Sequence, residues 1–331
     1  MDSFVDSLRA MAVNVLTSLP ALADYQAFRA WRADTSLWLP VALDIARSHG
    51  LASEAPHIFA TGTNLVIALD PQLILKIFPP MLRSQFVSER CALSELRGRL
   101  SLPTPEIIVE GARDGWSYLV ITRLDGVLGS EIWPSLPEAQ KERVLGEIGA
   151  AIAGVQRVPP GAMLEIEPRW DVFMRRQMAA CRVRHERLGL KPKFLEGLDD
   201  LLRDAAELIP LDPPPVILTG EYIPENFLLA EQGGNWRLAG LIDFGDVKTG
   251  FGEYDLLGPS AFMAAGRPRR VRSLFEGFGY SRGEVNFAAK RRLMALMLLH
   301  HASDPVRHIC IEGWQDRADD LLQLQELVWP D

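Results

Sequence analysis

The sequence predicts an α+β protein with two lobes, an antiparallel-sheet lobe followed by a mainly helical lobe. Residues 57–122 alternate short apolar runs with turn residues, which is typical of an antiparallel sheet. From about residue 130 onward, apolar residues recur with helical spacing, as in PEAQKERVLGEIGAAIAGVQ at 137–156. We therefore expect a helical extension over 1–50, a sheet lobe over 51–126 and a helical lobe over 127–331.

The first fifty residues are predicted to be helical, with a break near residue 19 and an end near residue 49. Within them, MAVNVLTSLPALAD ends in small residues, as a secretory signal would. Two aspartates precede this stretch, and Asn14, Thr17 and Ser18 interrupt it. An amphipathic helix is the preferred interpretation.

The sheet lobe is expected to begin with a hairpin, because HIFATGTNLVIAL contains two apolar runs around the small-residue turn 61–64. LILKIF at 73–78 is predicted to be the next strand, and SQFVSERCALSELRGRL has the apolar spacing of a helix. PTPEIIVEG and WSYLVITRL read as two further strands. One helix inserted into an antiparallel sheet is the predicted architecture of this lobe.

Composition excludes several classes of protein. The 331-residue chain has a net charge of −8 and a pI of about 5.4, which argues against general nucleic-acid binding and is compatible with a cationic small-molecule substrate. No uninterrupted apolar run is long enough for a membrane span. The three cysteines form no CxxC pair, which favours a reduced, cytoplasmic protein. Oligomeric state is not predicted by any of these features.

Lys76 is the only lysine among residues 1–140, and it lies inside the apolar strand LILKIF. A buried ammonium is costly unless it is paired. Two interpretations stay open: Lys76 faces solvent from an edge strand, or it pairs with a carboxylate of the following helix. Glu89 is the expected partner, whereas Glu95 is expected to be solvated.

Two later stretches contain oxygen-bearing side chains at strand ends. Asp243 follows the apolar run LAGLI, and Glu221 and Asn226 lie five residues apart in GEYIPEN. Carboxylate and amide oxygens suit Mg²⁺. A carboxylate is also the group that phosphoryl transfer requires beside the attacking hydroxyl. In contrast, the adjacent His300 and His301 are predicted to be poor joint metal ligands at a helix end.

In this order, the motifs resemble the aminoglycoside phosphotransferase family, which has a protein-kinase-like fold. The resemblance covers about residues 35–330 and rests on six segments: LWLPVALDIARSHGL, ATGTNLVIAL, LILKIF, YLVITRLDG, GEYIPENFLL and LIDFGDVKTGFGEYDL. The TGTN turn and the upstream helix are most similar to the hygromycin-phosphorylating branch. The resemblance implies an ATP-dependent phosphotransferase that modifies a hydroxyl of an aminoglycoside or aminocyclitol such as hygromycin.

The resemblance also implies roles for individual residues. ATP phosphates would be held by Lys76, which Glu89 would fix in place, and Mg²⁺ would be bound by Asn226 and Asp243. Glu221 would be the catalytic base. Further nucleotide contacts would come from Thr63 in the phosphate-covering turn and from Ile121 and Arg123 in the segment facing the adenine.

Two residues depart from the family pattern, since Thr219 stands in place of a histidine and Glu221 in place of an aspartate. The longer glutamate is expected to reach the same point after a small shift of the loop. The substrate's amines are expected to pair with acidic residues late in the chain, namely Asp246, Glu253, Glu312 and Asp316. Two alternatives stay open: a catalytically silent nucleotide-binding or interaction protein, and a kinase of another small metabolite.

Overall fold

A computed structural model describes residues 18–51 and 55–331, so the amphipathic helix predicted before the break near residue 19 lies almost wholly outside the described residues. The chain divides into two compact units. The first contains the described residues up to Ser94 together with Pro105–Leu124, and the second contains Glu95–Thr104 and Asp125–Asp331. The division after Leu124 lies close to the predicted lobe boundary, but the segment Glu95–Thr104 belongs to the second unit.

The first unit is built on a five-stranded antiparallel sheet, as the sequence predicts. The predicted hairpin is confirmed, since its strands pair from His57 opposite Ala68 to Phe59 opposite Val66. The elements are β1 His57–Phe59, β2 Leu65–Ala68, β3 Leu73–Phe78, α3 Arg83–Leu96, β4 Ile107–Arg113 and β5 Trp116–Thr122. The strand order is β1-β2-β3-β5-β4, and the helix α3 is inserted between β3 and β4.

Two N-terminal helices form one core with this sheet, which is more than the separate extension predicted. Phe28, Val41 and Ile45 are almost fully buried in a cluster that also contains Ile67 and Trp116. Their apolar faces require a partner, and the face of the sheet provides it. The side chain of Asp24 caps the first helix by accepting the N–H of Ala27. The two helices are α1 Tyr25–Arg32 and α2 Leu39–Ser48.

The second unit is mainly helical, as predicted. Two of its long helices cross closely at glycines: a Cβ on Gly149 would lie 2.2 Å from the carbonyl oxygen of Leu274, and one on Gly277 would lie 2.1 Å from that of Gly146. No helix of the described residues is both long and apolar enough to cross a membrane. The helices are α4 Gly129–Ile132, α5 Glu138–Gln156, α6 Trp170–Arg187, α7 Pro192–Glu196, α8 Leu198–Leu208, α9 Leu257–Pro259, α10 Pro268–Phe278, α11 Phe287–Leu299, α12 Pro305–His308, α13 Trp314–Arg317 and α14 Leu321–Val328.

Two small antiparallel sheets of the second unit set the geometry of the candidate site. The strands are β6 Val127–Leu128, β7 Val216–Leu218, β8 Phe227–Gln232, β9 Asn235–Leu241 and β10 Lys248–Gly250. The strands β8 and β9 form a hairpin, and β7 pairs with β10. The loop 219–226 joins β7 to β8 and the loop 242–247 joins β9 to β10, so the two loops lie at the same ends of these strand pairs.

Candidate active site

Lys76 of β3 and Glu89 of α3 form a buried ion pair. The Nζ of Lys76 lies 2.7 Å from Oε1 and 2.6 Å from Oε2 of Glu89, and the two residues are 7% and 1% exposed. The strand β3 lies between β2 and β5, so Lys76 is not on an edge strand facing solvent. Glu95 instead accepts the backbone N–H of Ala162 at 2.9 Å. The structure therefore selects the paired interpretation of Lys76 and selects Glu89 as its partner.

The other residues predicted to contact the nucleotide in the first unit lie on the sheet and its first turn. Thr63 is half-buried in the turn between β1 and β2, and Ile121 is buried in β5. Arg123 is exposed, and its backbone N–H donates to the carbonyl of Gln72 at 2.6 Å.

Arg32 of α1 braces the turn that contains Thr63. Its guanidinium donates to the carbonyl oxygens of Gly62, at 2.6 Å, and Ala60, at 3.0 Å. Burial lowers the pKa of the Arg32 guanidinium below its ordinary value. The N-terminal helix thus fixes a turn whose sequence contains a single glycine.

In the second unit, the β8–β9 hairpin places Asn226 and Asp243 at the same end. Asn226 precedes β8 and Asp243 follows β9, and the N–H of Ile242 donates to the carbonyl of Asn226 at 3.0 Å. Asp243 is exposed and has a φ of 62°, in the left-handed region that non-glycine residues rarely occupy. Such strain is typical of functional loops.

Asn226 also contacts Glu221 in the same loop. Its Nδ2 donates to the carbonyl of Glu221 at 3.1 Å and lies 3.3 Å from Oε2 of the same residue. Because the amide nitrogen of Asn226 makes both contacts with Glu221, the amide oxygen of Asn226 points away from Glu221. An amide oxygen and a carboxylate at the same end of the hairpin are the kind of hard donors that Mg²⁺ prefers, so these residue types fit the predicted ion.

Asp255 supports the start of this loop from a distant part of the chain. Its carboxylate accepts the backbone N–H groups of Thr219, at 3.2 Å, and Gly220, at 2.8 Å. Burial raises the pKa of Asp255 to about 7, against the opposing effects of these two bonds and of Lys248. Gly220 has a φ of 77°, a conformation that favours glycine at this position.

Lys248, at the start of β10, packs beneath the same loop. Its Nζ donates to the carbonyl of Asp246 at 2.8 Å and lies 5.2 Å from the centre of the Phe173 ring. Burial lowers the pKa of Lys248, and the carboxylates of Asp246, Asp255 and Glu221 oppose that shift. The lysine thus adds a positive charge to an otherwise acidic loop.

Two histidines after α11 contact the loop on either side of the Gly220–Glu221 peptide. His300 Nε2 lies 2.9 Å from the carbonyl oxygen of Gly220, while its Nδ1 accepts the N–H of Ala302 at 3.3 Å. The bond to Ala302 leaves the proton on Nε2, so His300 is the donor to Gly220. Burial holds the pKa of His300 well below its ordinary value, which keeps the ring neutral.

His301 faces the carboxylate of Glu221. The Tyr254 hydroxyl accepts the backbone N–H of His301 at 3.1 Å and lies 3.2 Å from its Nδ1. Because burial raises the pKa of Tyr254, the hydroxyl keeps its proton and donates it to Nδ1. A neutral His301 then carries its proton on Nε2, which lies 3.5 Å from Oε1 of Glu221.

Glu221, Asp246 and His301 form a cluster that no sequence motif groups together. Their potential ligand atoms lie within 4.8 Å of one another, and among the described residues this is the group of histidine and acidic side chains able to hold a metal ion. The cluster arises because β7 pairs with β10 in antiparallel fashion, which brings the loop after Leu218 beside the residues before Lys248.

The other acids predicted to pair with substrate amines have different surroundings. Glu253 is 7% exposed, and its carboxylate accepts from Arg292 at 2.6 and 2.7 Å and from the Tyr280 hydroxyl. Asp316 is exposed and forms an ion pair with Lys191. Glu312 is exposed on the short segment before α13. The prediction for Glu253 therefore needs correction, because a buried carboxylate that is already neutralised is not available to a substrate amine.

A model of the phosphotransferase enzyme family APH matches residues 59–295, which is more than half of the 331-residue chain. The chain belongs to the APH family. The aminoglycoside phosphotransferase resemblance drawn from the sequence motifs is thereby confirmed. No curated protein matches the sequence of this APH family member.

Solved phosphotransferase structures share the fold of this APH family member. The GDP complex of wild-type aminoglycoside 2'-phosphotransferase-IIIa superposes with a TM-score of 0.65 at 15% identity, over 86% of this chain and 96% of that one. The GDP and kanamycin complex of APH(2")-IIia gives 0.60 at 18% identity, over 77% and 87%. Macrolide 2'-phosphotransferase MphH from Brachybacterium faecium gives 0.54 at 16% identity, over 85% and 97%. At these low identities, the superpositions show a shared fold and nothing more. The prediction of a kinase-like α+β fold is confirmed.

The residues that sequence reasoning missed in this APH family member are His300 and His301 as partners of the loop. The adjacent histidines were interpreted as a helix end, since no spacing rule connects them to a loop 80 residues earlier. The sequence did contain one signal for these histidines: Thr219 occupies the place where the family pattern has a histidine. A missing imidazole in one segment was a reason to look for one elsewhere in the chain.

Proposed function

We propose that this protein transfers a phosphoryl group from Mg-ATP to a hydroxyl of a small molecule, with Glu221 as the catalytic base. The observation that carries the proposal is the environment of the Glu221 carboxylate. Asn226 contacts it on one side and His301 faces it on the other, while Asp243 lies at the adjacent strand end. A structural acid at a solvated surface would not need this set of partners.

The proposed roles follow from the groups that each residue offers. Lys76, held by Glu89, binds phosphate oxygens of the nucleotide. Asn226 and Asp243 hold Mg²⁺, which neutralises phosphate charge when it is bound. Glu221 accepts the proton of the acceptor hydroxyl, and the Nε2–H of His301 orients the carboxylate that does so.

The histidine pair favours an active enzyme over a catalytically silent one. His300 holds the carbonyl of Gly220, and His301 faces the Glu221 carboxylate, so the loop has imidazole partners although residue 219 is threonine. Catalytic hydrogen bonds in ligand-free proteins are often long and tighten once the substrate is bound. The 3.5 Å contact between His301 and Glu221 is of this kind.

The acceptor that we propose is a hydroxylated amine. The resemblance favours an aminoglycoside or aminocyclitol such as hygromycin, and Asp246 beside Glu221 is the acid best placed to pair with its amine. A net charge of −8 favours the approach of a cation, and salt should weaken that approach. Thr63, Ile121 and Arg123 remain proposed nucleotide contacts, whereas the proposal no longer includes Glu253, Glu312 or Asp316 as acceptor residues.

Nucleotide binding is the first test. Calorimetry should detect Mg-ATP binding by the wild-type protein, and Asp243→Asn should remove most of the Mg²⁺-dependent affinity because a neutral amide replaces a charged ligand. Asp44→Asn, at the half-buried ion pair with Arg113 in the first unit, is the matched control. Absence of ATP and GTP binding in the presence of Mg²⁺ would refute the proposed function.

Turnover is the second test. Release of ADP or GDP should be measured across a panel of hydroxylated amines, and Glu221→Ala should nearly abolish it on every acceptor that the wild type uses. Glu221→Asp should be impaired, and adding Thr219→His should not restore it, because Thr219 is 7% exposed and His300 already binds the neighbouring carbonyl. Wild-type turnover by Glu221→Ala would show that Glu221 is not the base.

A further inference from the structure

A groove of about 670 Å³ lies in the second unit, and none of its lining residues has a role in the proposed function. Its walls are the helix α5 with the residues directly after it, the β8–β9 hairpin and the segment 99–102, which belongs to the same unit. The N–H of Leu241 in β9 donates to the carbonyl of Pro103 at 3.1 Å, which ties that segment to the strand. Pockets that bind small molecules usually measure about 300–1,000 Å³, so the groove is large enough for one.

Small residues of α5 leave the space that the groove occupies. Ala150, Ala151 and Gly154 lie three or four positions apart, so they share one face of the helix. The other two walls add half-buried leucines, namely Leu100, Leu102 and Leu238. These apolar groups are partly in contact with water, and a ligand with an apolar body would be stabilised by covering them.

The charge of the lining is opposite to that of the whole chain. Arg99, Arg157 and Arg237 line the groove, and Glu147 is the acid among the lining residues. The lining therefore has a net charge of +2, whereas the chain has a net charge of −8. Complementary charge selects an anion as the ligand. We call this site the arginine groove.

Arg157 is the arginine whose guanidinium is left for a ligand. Within the part of the chain that the structure describes, its side chain makes no hydrogen bond or ion pair. Its Nη2 lies 3.8 Å from the position that a Cβ on Gly154 would take, so the side chain folds back along the face of the helix. A guanidinium held over small residues presents its N–H groups to a molecule in the groove.

The other two arginines have acidic partners and keep donors for an anion. Arg237 donates through Nε to Glu147, whose second oxygen accepts the N–H of Leu238 at 2.7 Å, and neither Nη group takes part in these bonds. Arg99 lies 3.5 Å from Glu95, and its side chain is 49% exposed. Exposed pairs of this kind contribute little, so Arg99 can turn towards a stronger partner. A guanidinium binds phosphate oxygens through two parallel N–H bonds, which an ammonium does not match.

We infer that the arginine groove is a second ligand site, which binds a phosphate monoester attached to a flat apolar body. A phosphate monoester has a charge of about −1.5 to −2 near pH 7, and it is bound by Arg157 together with Arg99 and Arg237. The apolar body covers Ala151 and Gly154 on the helix. The inference goes beyond the proposed function and does not rest on it, since the two sites share no residue.

Four probes test the two halves of the ligand separately. They are 1-naphthyl phosphate, 1-naphthol without the charge, inorganic phosphate without the ring, and 1-naphthoate with a carboxylate in place of the phosphate. Calorimetry on the full chain, with saturating Mg-ADP, measures each affinity. We expect 1-naphthyl phosphate to bind roughly tenfold more tightly than 1-naphthol or inorganic phosphate, with 1-naphthoate in between.

Three results would overturn the inference. The first is no binding of 1-naphthyl phosphate at millimolar concentration. The second is binding of 1-naphthol or of inorganic phosphate with the same affinity, since the groove would then recognise only the ring or only the charge. The third is 1-naphthoate binding as tightly as 1-naphthyl phosphate, which would overturn the assignment of a phosphate.

Two variants locate the binding in the groove. Arg157→Gln should weaken 1-naphthyl phosphate roughly tenfold without lowering the melting temperature, because the guanidinium has no partner to lose. Gly154→Leu should weaken it at least as much by filling the space beneath Arg157, and leucine favours a helix more than glycine does. Arg176→Gln, at an exposed arginine of α6 outside the groove, is the control. Wild-type affinity for the probe in both groove variants would overturn the inference.

Asp243→Asn separates the arginine groove from the proposed active site. This variant should lose Mg²⁺-dependent nucleotide binding and keep wild-type affinity for 1-naphthyl phosphate, whereas Arg157→Gln should do the reverse. Loss of the probe in Asp243→Asn would place the probe at the nucleotide site and overturn the inference. Probe binding that depends on Arg157, in a protein that binds no nucleotide, would retain the inference and refute the proposed function.

Discussion

Lys76 and Glu221 are charged side chains at two predicted sites, and the chain holds them by different means. Lys76 has a carboxylate partner only 13 residues away, on the helix that follows its strand. Glu221 is faced by His301, and the backbone before it is held by Asp255 and by His300, which is 80 residues away from Gly220. One site is built within a strand–helix unit, and the other is assembled from three separate segments.

The difference indicates which substitutions each site tolerates. A buried ion pair made by two neighbouring elements depends on both partners, because each single substitution removes the opposite charge next to the remaining buried group. A loop held by several distant groups can lose or exchange one of them while the others keep its position. The replacement of the family's histidine by Thr219 is an example, because the imidazoles come from the segment after α11.

The largest effect is expected at the Lys76–Glu89 pair. Glu89→Ala should lower the free energy of unfolding by about 3–5 kcal/mol, since it leaves the Lys76 ammonium buried without its carboxylate. The double variant Lys76→Met with Glu89→Leu should recover most of that loss of stability. It should not bind nucleotide, because it lacks the Lys76 ammonium. Denaturant unfolding measures the stability of both variants, and a loss below about 1 kcal/mol in Glu89→Ala would contradict a large contribution of this ion pair.

A somewhat smaller effect is expected from Asp255, and it should depend on pH. The pKa of Asp255 is about 7 in the folded protein because of burial, against an ordinary value of 3.8, so the folded state binds the extra proton between these values. Stability is therefore present below about pH 4 and decreases as the pH rises to about 7. Since one pKa unit corresponds to about 1.4 kcal/mol, the decrease is at most about 4 kcal/mol.

Asp255→Asn removes this dependence, since asparagine has a similar shape and does not titrate. The melting temperature of the wild type should fall relative to that of the variant between pH 4.5 and 7, and Asp212→Asn in an exposed loop serves as the control. Parallel curves for wild type and Asp255→Asn would show that the two N–H bonds and Lys248 keep the carboxylate ionised. In that case these groups would outweigh the effect of burial on the pKa of Asp255.

The next effect concerns turnover. His301→Ala should lower kcat by roughly tenfold to a hundredfold with little change in KM, because a base misplaced by about 1 Å is that much less effective. His301→Gln retains an N–H near the position of Nε2 and should recover much of the loss. If the glutamine variant is as slow as the alanine variant, or if both have wild-type kcat, His301 does not orient Glu221.

The smallest effect is expected at Asp316. Its carboxylate is 79% exposed and pairs with Lys191, and exposed pairs of this kind contribute little. Asp316→Asn should leave the melting temperature and the KM for a cationic acceptor unchanged, whereas Asp246→Asn should raise that KM. A rise in KM with Asp316→Asn would restore it as an acceptor residue.

Sequence patterns predicted the strands and helices best where a local period was strong. The sheet lobe with its inserted helix and the helical lobe were both correct, because apolar residues at a spacing of two or 3.6 must share a face. The N-terminal helices were predicted as helices, but their packing against the sheet was not predicted. Their packing against the sheet depends on the matching shapes of apolar faces, which spacing alone does not encode.

Within the candidate site, the sequence by itself determined which groups are present: Lys76 in a strand, Glu89 in the next helix, Glu221 and Asn226 in one loop, and Asp243 after a strand. These groups are close along the chain or follow a strand end, so local geometry is enough to foresee them. Only the tertiary structure decided that Asp255, His300 and His301 support the loop and that Glu253 is neutralised by Arg292. Contacts between segments dozens of residues apart depend on how helices and sheets pack, and no short motif specifies that packing.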